Sequence, residues 1–555
     1  MDKTMKLTEY FSLPNLDRKN VLPIVSVTTA ASFLYATYRI LKTDQEKKKC
    51  FKKIPIPGSK YPYVGHMMSL GELPGKTIAK WHEDLGPIIN LKMGVQNWIM
   101  VDDPALAHKI FVTKGIETSY RPYNVYAHDH YSFSGKGISF SQPDGAWKVS
   151  RAAALSVLAP KHIESYTPSL ERESRDLVSR FIESTEKNSS VNPLKHLELF
   201  SMNVIITAIF SKRFDSVEDP DFKKLDEMIA HVIKNCGLEN DLPNFLPIVS
   251  VYNYFFGGQA EQRDFIQNKR NPFFRQLIRD AAVAEGPNVI KSLVEDGFKL
   301  SNDETLAITA DLVAAGTDTV SISLTWNFAV MCRRPDIQKK VISEIDKFIK
   351  SNGRLPSFQE RSHLPYCISV MKESMRFRST VSLGLAHTTY EDLIIDGYMI
   401  PKNSVLISSM ESMHMRQDTY PNPEKFEPER FMNNLKTMQS AANGKLEERD
   451  HFNFGWGRRI CPGIYLAETE IFLAFVQTFA RCYIEPSTDG LPDIDSAVNL
   501  GLTTAPISYK SMRNKSSRTS HNKNACLSRK FVKRLPIPTT LNTNIDDLLL
   551  EYNYV

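Results

Sequence analysis

The sequence predicts a mainly α-helical protein with a minor β-sheet. Between about Trp147 and Phe377, apolar residues recur with the period of about 3.6 residues that is typical of helices packed on a core. Strand-like runs occur in two short regions, residues 88–101 and 393–408. The chain has 555 residues, 42% of them hydrophobic, and can therefore bury a large core.

A candidate membrane anchor occupies residues 21–41, after a polar lead formed by residues 1–20. Arg39 is the one charged residue in this stretch, which as a helix would reach about 31 Å, enough for one bilayer crossing. More Lys and Arg residues follow the stretch than precede it, so the positive-inside rule places its C-terminal side in the cytosol. A cleaved signal peptide is the alternative, but the long polar lead and the lack of a small-residue cleavage site count against it.

Two further segments have distinctive compositions. Residues 42–58 are predicted to be a basic and proline-rich linker, in which Ile54–Gly58 forms a stiff, extended hinge. Residues 511–555 form a basic tail, and residues 510–534 hold nine Lys and Arg and no acid. Such a run could contact a membrane or a nucleic acid, but we favour a solvated, disordered tail and expect no nucleic-acid partner.

Both strand-like regions carry turn signals. The runs Ile88–Leu91 and Trp98–Val101 are separated by Gly94, which predicts a hairpin of a small sheet. The second region, Leu393–Ser408, contains Asp396–Gly397, a dipeptide typical of two-residue turns. The sheet is therefore expected to be small beside the helices.

The seven cysteines exclude several classes of protein. They form no CxxC and no CxxCH motif, which argues against a zinc ribbon, a c-type haem attachment and a secreted disulfide scaffold. The expected setting is reducing, with the catalytic part facing the cytosol.

The most informative segment is Phe454–Gly463, with the sequence FGWGRRICPG. It presents Cys461 in a glycine-rich loop directly before an apolar helix predicted from about Ile464 to Ala480. Backbone N–H groups and the helix dipole favour negative charge there, so the thiol has reason to ionise. Gly457 permits a tight turn, and Arg459 adds a positive charge two residues away. A lone thiolate in this setting suits haem iron, whereas the alternative is a structural cysteine in a turn.

This loop resembles the haem-thiolate loop of cytochromes P-450, because every fixed position of the pattern Phe-x-x-Gly-x-Arg-x-Cys-x-Gly is filled. The resemblance implies haem b as the cofactor, with Cys461 as the axial thiolate and the metal ligand. Phe454 and Gly463 are then expected beside the cofactor, and Arg459 at a haem propionate. The resemblance covers roughly residues 52–510 and implies the cytochrome P-450 fold, in which a long central helix lies over the haem.

A long helix is predicted from the Ser301–Glu304 cap to about Arg334. At its middle, Ala314–Thr319 has the sequence AAGTDT, whose small residues would let a planar cofactor lie against the backbone. Contact with another helix is the alternative explanation. The segment is similar to the family's oxygen-activation turn, with a groove for dioxygen and an acid–alcohol pair that relays protons. The resemblance thereby assigns catalytic roles to Gly316, Asp318 and Thr319.

A charged triad is also implied. Glu373 and Arg376 are three residues apart, so they share one face of a predicted helix with apolar flanks. Phe426–Phe431 supplies a further arginine, Arg430. The resemblance joins these three side chains into a buried structural triad that holds the cysteine loop in place.

Further cofactor contacts follow from the resemblance. Trp147 and Arg151 are four residues apart on a helix predicted from near Gly145, so both point the same way. They fit the family's Trp-x-x-x-Arg pattern, which reaches the haem propionates. His387 occupies the place of a further propionate-binding residue, although an ordinary strand histidine is the alternative. Two carboxylates call for two or three such donors.

The motifs occur in the family's order, so residues 59–510 are expected to form one haem-thiolate monooxygenase domain. The implied enzyme is an oxidoreductase that acts on paired donors with incorporation of molecular oxygen, of the eukaryotic microsomal type. Its cysteine loop looks like those of many fungal enzymes. The expected location is the endoplasmic reticulum membrane, with a single pass and a cytosolic catalytic domain.

The chain shows no nicotinamide or flavin fingerprint, so electrons from NADPH are expected to arrive through a separate cytochrome P-450 reductase, with cytochrome b5 as an additional partner. The expected substrate is an apolar small molecule, such as a lipid, sterol, terpenoid, fatty acid or xenobiotic. Two alternative functions stay open. One is a P-450-like peroxide isomerase or dehydratase, and the other is a non-catalytic haem-binding membrane protein.

Overall fold

The computed structural model describes Tyr35 and residues 51–237, 242–257, 259–488, 490–508 and 531–533. The predicted lead and anchor, apart from Tyr35, lie outside these residues, as does the predicted tail apart from residues 531–533. Within the described ranges, no helix has both the length and the apolar character needed to cross a bilayer.

Helices dominate the described part of the chain, which confirms the predicted class. The α-helices are α1 Pro74–Leu85, α2 Pro104–His108, α3 Gly115–Thr118, α4 Gly145–Val157, α5 Pro160–Ser165, α6 Thr167–Asn188, α7 Pro193–Phe210, α8 Pro220–Asn235, α9 Leu242–Phe245, α10 Pro247–Phe256, α11 Ala260–Asp264, α12 Asn271–Val283, α13 Val289–Glu295, α14 Asn302–Arg333, α15 Pro335–Asn352, α16 Pro365–Phe377, α17 Met410–His414, α18 Met438–Asn443 and α19 Ile464–Arg481. Shorter 3-10 turns are Met67–Ser69, Phe358–His363, Pro428–Phe431, Leu446–Glu448 and Gly457–Arg459. The π-helical turns are Lys109–Thr113, Val125–Tyr131 and Phe265–Arg270.

The strands form small sheets, as predicted. They are β1 Ile88–Met93, β2 Gln96–Val101, β3 His387–Thr388, β4 Leu393–Ile395, β5 Tyr398–Ile400, β6 Val405–Ser408, β7 Cys482–Ile484, β8 Ala497–Asn499, β9 Thr504–Pro506 and β10 Phe531–Lys533. One four-stranded sheet has the order β1-β2-β6-β3, and the other strands pair as β4-β5, β8-β9 and β7-β10.

The two predicted turns are present. The antiparallel β1-β2 pair opposes Ile88 to Val101 and closes at Gly94, which confirms the hairpin. Strands β4 and β5 are joined by Asp396 and Gly397, which have φ values of 50° and 84°. Positive φ at both central residues is what a type I′ turn requires, so this dipeptide suits its place.

The central helix α14 is buried along most of its length. Ser301 and Glu304 form a capping box at its start, as the sequence predicts. Its most extensive packing is against α7. A Cβ atom on Gly316 would lie 2.7 Å from Ile205 Cδ1, so the absence of a side chain lets α7 approach closely. Contact between helices is therefore one reason for the small residues at this turn.

The helix after the cysteine, α19, belongs to the largest core cluster. Its phenylalanines Phe472, Phe475 and Phe479 are completely buried. They pack in one apolar cluster with residues of α6, α15 and α16. The cysteine loop is thus attached to a helix that the core fixes on several sides.

The turn Gly457–Arg459, just before the cysteine, packs against the π-helical turn Lys109–Thr113. Gly457 has a φ of 54°, and a Cβ atom there would lie 2.2 Å from the carbonyl oxygen of Phe111. Both the left-handed conformation and the close backbone approach require glycine at this position. Gly455 also has a positive φ, 73°, but open space surrounds its position.

We predict that Gly457→Ala lowers the free energy of unfolding by at least about 3 kcal/mol, because the backbone is strained and the carbonyl of Phe111 has to move. Gly455→Ala is the matched control and should lower it by only about 1–2 kcal/mol, from the left-handed conformation alone. Denaturant unfolding of both variants measures the difference. Equal losses would show that the contact with Phe111 is unimportant.

Candidate active site

The cysteine loop places Cys461 just before α19. The Cys461 N–H donates to the carbonyl oxygen of Phe454 at 2.9 Å, and Gly463 is the N-cap residue of the helix. Desolvation by the surrounding protein raises the pKa of the thiol, although the Gly463 N–H and the charge of Arg151 act in the opposite direction. Burial and the helix start thus act in opposite directions on the ionisation of this thiol. A bound metal cation would supply the missing charge, because coordination deprotonates a thiol.

Cys461 lines a cavity of about 1370 Å³ that is partly open to solvent. Phe454 and Gly463 of the cysteine loop line the same cavity, as do Gly316 and Thr319 of α14. The remaining lining residues are mostly apolar and come from α4 to α7, α13, α14, α19 and the loops after α16 and before α19: Val157, Leu158, Ile163, Tyr166, Ser169, Leu170, Val204, Ile205, Thr207, Ala208, Ile209, Val289, Leu312, Ala315, Val320, Ser323, Met375, Thr380, Val381, Asn453, Pro462, Leu466, Ala467, Glu470 and Ile471. A mostly apolar lining with a few polar groups is typical of pockets that bind organic ligands.

The predicted acid–alcohol pair faces two different surroundings. Thr319 lines the cavity, and its hydroxyl donates to the carbonyl oxygen of Ala315 at 2.7 Å. Asp318 is not among the lining residues, and its Oδ2 accepts a hydrogen bond from the Thr503 hydroxyl at 2.7 Å. Burial raises the pKa of Asp318 to about 6, and the nearby Asp226 acts in the same direction. The structure therefore places an acid that binds a proton near neutral pH one residue from the cavity wall.

A carboxyl group that the sequence did not reveal also lines the cavity. Glu470 of α19 is 1% exposed, and both of its carboxylate oxygens lack a hydrogen-bond partner. Burial alone raises the pKa of Glu470 well above its usual range. The sequence does not predict that Glu470 lines the cavity, because the burial of a single glutamate depends on tertiary packing.

A cluster of basic groups surrounds Trp147 and borders the cysteine loop. The guanidinium groups of Arg151, Arg459 and Arg458 lie 5.7, 4.2 and 6.0 Å from the Trp147 ring centre. Arg151 Nη2 also donates to the carbonyl oxygen of Ile460 at 2.6 Å, directly before the cysteine. Trp147 and Arg151 thus lie together on α4, as the sequence predicts, and Arg459 joins them.

Arg121 is a member of this cluster that the sequence did not indicate. It is buried, and its Nη1 donates to the carbonyl oxygen of Leu385 at 2.9 Å, close to His387 on β3. His387 Nδ1 lies 2.8 Å from the carbonyl oxygen of Thr118. Burial, followed by the charge of Arg121, lowers the pKa of His387 well below its usual value, so the imidazole is neutral. No motif spacing connects Arg121 to the other basic residues.

The protein compensates the positive charges of this cluster only in part: the charges of Asp311 and Asp144 act to raise the pKa of Arg121 and of Arg459, but neither carboxylate forms an ion pair with them. Burial, followed by the charges of Arg121 and Arg151, lowers the pKa of Arg459 to about 8. Burial and the charge of Arg151 lower the pKa of Arg121 to about 9. Among the described residues, neither Arg121, Arg151 nor Arg459 forms an ion pair with a carboxylate. A ligand that carries two carboxylates fits here, because it would neutralise charges that burial destabilises. Haem b is such a ligand.

The structure brings the predicted triad together. Arg376 donates from Nε and Nη2 to the two Glu373 oxygens at 2.7 and 2.8 Å, and Arg430 Nε lies 3.1 Å from Glu373 Oε2. The Glu427 N–H donates to Glu373 Oε1 at 2.8 Å. Glu373 and Arg376 are completely buried. Glu427 Oε2 also lies 3.4 Å from Arg430 Nη2, so two carboxylates are paired with two guanidinium groups here, unlike in the basic cluster.

The triad is connected to the cysteine loop through His414. Arg376 Nη1 donates to the His414 carbonyl oxygen at 2.9 Å, and the Phe452 N–H donates to His414 Nε2 at 2.8 Å. In addition, Asn453 Nδ2 donates to the carbonyl oxygen of Met375 at 2.8 Å. The start of the loop is thus tied by hydrogen bonds to the helix that carries the triad.

From their positions relative to the motifs, residues 126–140, 312–319, 380–385 and 502–505 are the segments expected to contact the substrate. The structure divides them between two cavities. Leu312, Thr380 and Val381 line the cavity of Cys461. Leu383, Leu385, Leu502 and Thr504 line a second cavity of about 600 Å³ instead. No residue of the expected segment 126–140 lines either of these two cavities.

Comparison with known proteins agrees with this geometry. The sequence profile of the family "Cytochrome P450", written P-450 here, matches residues 55–511. A cytochrome P-450 monooxygenase of Armillaria gallica is 25% identical over 506 residues, which cover 89% of this chain and 94% of the relative. Cytochrome P-450 monooxygenase 79 of Postia placenta is 24% identical over 82% of this chain and 89% of the relative. Cytochrome P-450 71B35 of Arabidopsis thaliana is 27% identical over 77% of this chain and 86% of the relative.

The matched residues include the whole cavity and the cysteine loop. Members of this family use haem b with a cysteine thiolate as the axial ligand, and they are oxidoreductases that incorporate molecular oxygen. The fold, the cysteine loop before α19 and the family match together show that the chain belongs to the cytochrome P-450 family.

Proposed function

We propose that the chain is a haem-thiolate monooxygenase that hydroxylates an apolar organic compound, of the lipid, sterol, terpenoid, fatty acid or xenobiotic class. The observation that carries the proposal is that Cys461 and Thr319 line one largely apolar cavity. An apolar wall suits a hydrophobic substrate, and the few polar groups on it can orient that substrate. When bound, haem b supplies the activation of molecular oxygen, while the protein supplies binding, orientation and protons.

The cofactor seat is proposed from the described contacts. Cys461 would be the iron ligand, with Phe454 and Gly463 beside it on the cavity wall. The haem carboxylates would be held by Arg121, Arg151 and Arg459 of the basic cluster, together with Trp147 and His387 beside it. The triad Glu373, Arg376 and Arg430 would act only structurally, by holding the cysteine loop through His414.

Protons are proposed to reach the cavity through Thr319 and Asp318. The Thr319 hydroxyl lies at the cavity wall, and Gly316 leaves space beside it. Asp318 can hold and release a proton near neutral pH, because burial raises its pKa to about 6. Its hydrogen bond to Thr503 fixes the carboxyl group on the side away from the cavity, so rotation of the side chain or a bridging water would complete the transfer.

Electrons are proposed to come from NADPH through cytochrome P-450 reductase, with cytochrome b5 as an additional donor. Arg458 and the exposed Lys148 lie next to Trp147, on the side of the fold that carries the cysteine loop. Positive charge there would attract an acidic partner protein and accelerate the encounter.

The proposed location is the endoplasmic reticulum membrane, with residues 21–41 as a single-pass anchor and the catalytic domain in the cytosol. The support is the apolar character of residues 21–41 and the lysines that follow them.

We predict that removal of residues 1–50 releases the protein from the membrane fraction of expressing cells, because the apolar stretch is then absent. Sedimentation after cell lysis, with and without high salt, measures the distribution. A chain that lacks only residues 511–555 is the control and should remain with the membranes. Continued membrane attachment after removal of residues 1–50 would show that the anchor is elsewhere.

We predict that Cys461→Ser abolishes the Soret band that marks a thiolate-bound, reduced carbonyl complex, whereas Thr319→Ala retains it. Thr319→Ala should instead lower the product formed per NADPH consumed when reductase and a lipid substrate are present, because proton delivery is impaired. Difference spectroscopy and NADPH consumption measure the two effects. Equal loss of the band in both variants would show that these roles are misassigned.

An intact thiolate band in the unmodified protein, without reductase-dependent turnover of any apolar compound, would contradict the monooxygenase proposal. Activity on an organic peroxide without NADPH would then identify a peroxide isomerase or dehydratase. Absence of both activities would identify a non-catalytic haem-binding protein.

We predict that Asp318→Asn increases the free energy of unfolding at pH 7.5 by up to roughly 3 kcal/mol. The pKa of Asp318 is about 6 in the folded state against 3.8 for the free side chain, so folding favours the neutral acid. The free energy of unfolding of the unmodified protein therefore falls as the pH rises from about 4 to about 6. The Asp318→Asn variant carries a neutral amide at all pH values and does not show this loss.

Unfolding between pH 4 and pH 8 measures this effect, and the gain of Asp318→Asn should disappear near pH 4. Asp336→Asn is the control, because Asp336 is exposed and its hydrogen bond from Arg334 lowers the pKa of its carboxyl group. That variant should gain no stability at any pH. A gain for Asp318→Asn that does not depend on pH would rule out the proposed protonation.

A further inference from the structure

The segment Gly137–Ser141 lies between the basic cluster and the central helix. Three of its carbonyl oxygens accept hydrogen bonds from side chains of the cluster. The bonds run from Trp147 Nε1 to Ile138 O at 3.2 Å, from Arg459 Nη1 to Ile138 O at 3.1 Å, from Arg459 Nη2 to Ser141 O at 2.6 Å, and from Arg121 Nε to Ser139 O at 2.8 Å. The orientation of three of the cluster's side chains therefore depends on the position of this segment.

A buried carboxylate of the central helix holds this segment from the other side. Asp311 lies on α14, about two turns before Thr319, and is 6% exposed. Its Oδ2 accepts hydrogen bonds from the N–H groups of Ile138 at 2.7 Å and of Ser139 at 3.0 Å. The same two residues that donate to Asp311 thus offer their carbonyl oxygens to the basic cluster.

The contact is close and specific. A Cβ atom on Gly137 would lie 2.9 Å from Asp311 Oδ2, and Gly137 has a φ of 87°, so the segment reaches the carboxylate only because glycine stands there. Hydrogen bonds from backbone N–H groups to a carboxylate are stronger than those to a neutral acceptor. If the carboxylate were removed, two buried N–H groups would lose their acceptor and the segment would move to find water or another partner.

We propose that Asp311 is a positioning residue for cofactor retention, which acts through residues 138–141 on Arg459, Arg121 and Trp147. It does not line the cavity of Cys461, and its backbone hydrogen bonds come from Ile138 and Ser139. Its effect on Arg459 and Trp147 therefore passes through two layers of hydrogen bonds, while its charge also acts directly to raise the pKa of Arg121. The inference rests on the cofactor seat proposed above for the carboxylates of haem b.

The first measurement is amide hydrogen exchange of the peptide that contains residues 137–141. In Asp311→Ala the exchange rate should increase at least about tenfold, because both N–H groups lose their acceptor. Asp311→Asn keeps an acceptor oxygen, so its exchange rate should stay within about threefold of the unmodified protein. This measurement reports on the hydrogen bonds of the segment itself, so it does not depend on the proposed activity.

The second measurement is the rate of haem transfer from the loaded protein to excess apomyoglobin. Asp311→Ala should release haem at least about tenfold faster, and Asp311→Asn should come close to the unmodified rate. If Asp311 acts through Arg459, the double variant Asp311→Ala/Arg459→Ala should release haem no faster than the faster of the two single variants. If the two substitutions act independently, their separate fold-increases in haem release rate should multiply in the double variant.

Two further variants complete the design. Thr309→Val is the matched control, because Thr309 is equally buried on α14 and its hydroxyl donates only to carbonyl oxygens of the same helix. It should change neither rate. Gly137→Ala disturbs the same contact from the segment's side and should accelerate both exchange and haem release, which keeps the test open if Asp311→Ala does not fold.

The proposal is overturned if exchange in residues 137–141 is unchanged by both Asp311→Ala and Gly137→Ala, or if the effects of Asp311 and Arg459 on haem release multiply. Loss of the thiolate band is a separate outcome, because that band reports on Cys461. The two proposals can therefore fail independently.

Discussion

The position of the cysteine loop depends on the buried ion pairs that Glu373 forms with Arg376 and Arg430. The Glu373 carboxylate is completely buried and accepts hydrogen bonds from Arg376 and from the Glu427 N–H, with Arg430 alongside. A buried charge is stable only when such partners surround it, so the helix α16 and the segment before the loop have one mutual arrangement. Through His414, that arrangement extends to Phe452 and hence to the backbone that ends at Cys461.

Two groups of buried charged side chains differ in whether carboxylates and guanidinium groups are paired within them. Glu373 and Glu427 are paired with Arg376 and Arg430, whereas Arg121, Arg151 and Arg459 form no ion pair with a carboxylate among the described residues. Folding alone does not favour burial of uncompensated cations, because desolvation is unfavourable and like charges repel. The unbalanced cluster therefore indicates an anionic ligand, and the two carboxylates of haem b satisfy it.

Side chains on different faces of the central helix α14 contact different parts of the site. Neighbouring residues on a helix point about 100° apart, so Thr319 reaches the cavity while Asp318 reaches Thr503. Gly316 admits Ile205 of α7 and at the same time lines the cavity. Asp311, two turns earlier, contacts residues 138 and 139. One rigid helix thereby relates the cofactor seat, the proton donor and the cavity wall to each other.

Local periodicity, turn residues and caps are properties of the sequence, and they sufficed to predict the helical class, the hairpin at Gly94, the capped central helix and the glycine-rich loop before α19. The contiguous loop motif also indicated Cys461, whereas the triad was implied by the family resemblance, since Arg430 is far from Glu373 and Arg376 in the chain. Packing was needed to establish that Arg121 joins the basic cluster, that Asp318 contacts Thr503 and that Glu470 is buried. These facts depend on contacts between residues far apart in the chain, and the burial that shifts their pKa values exists only after those segments have packed together.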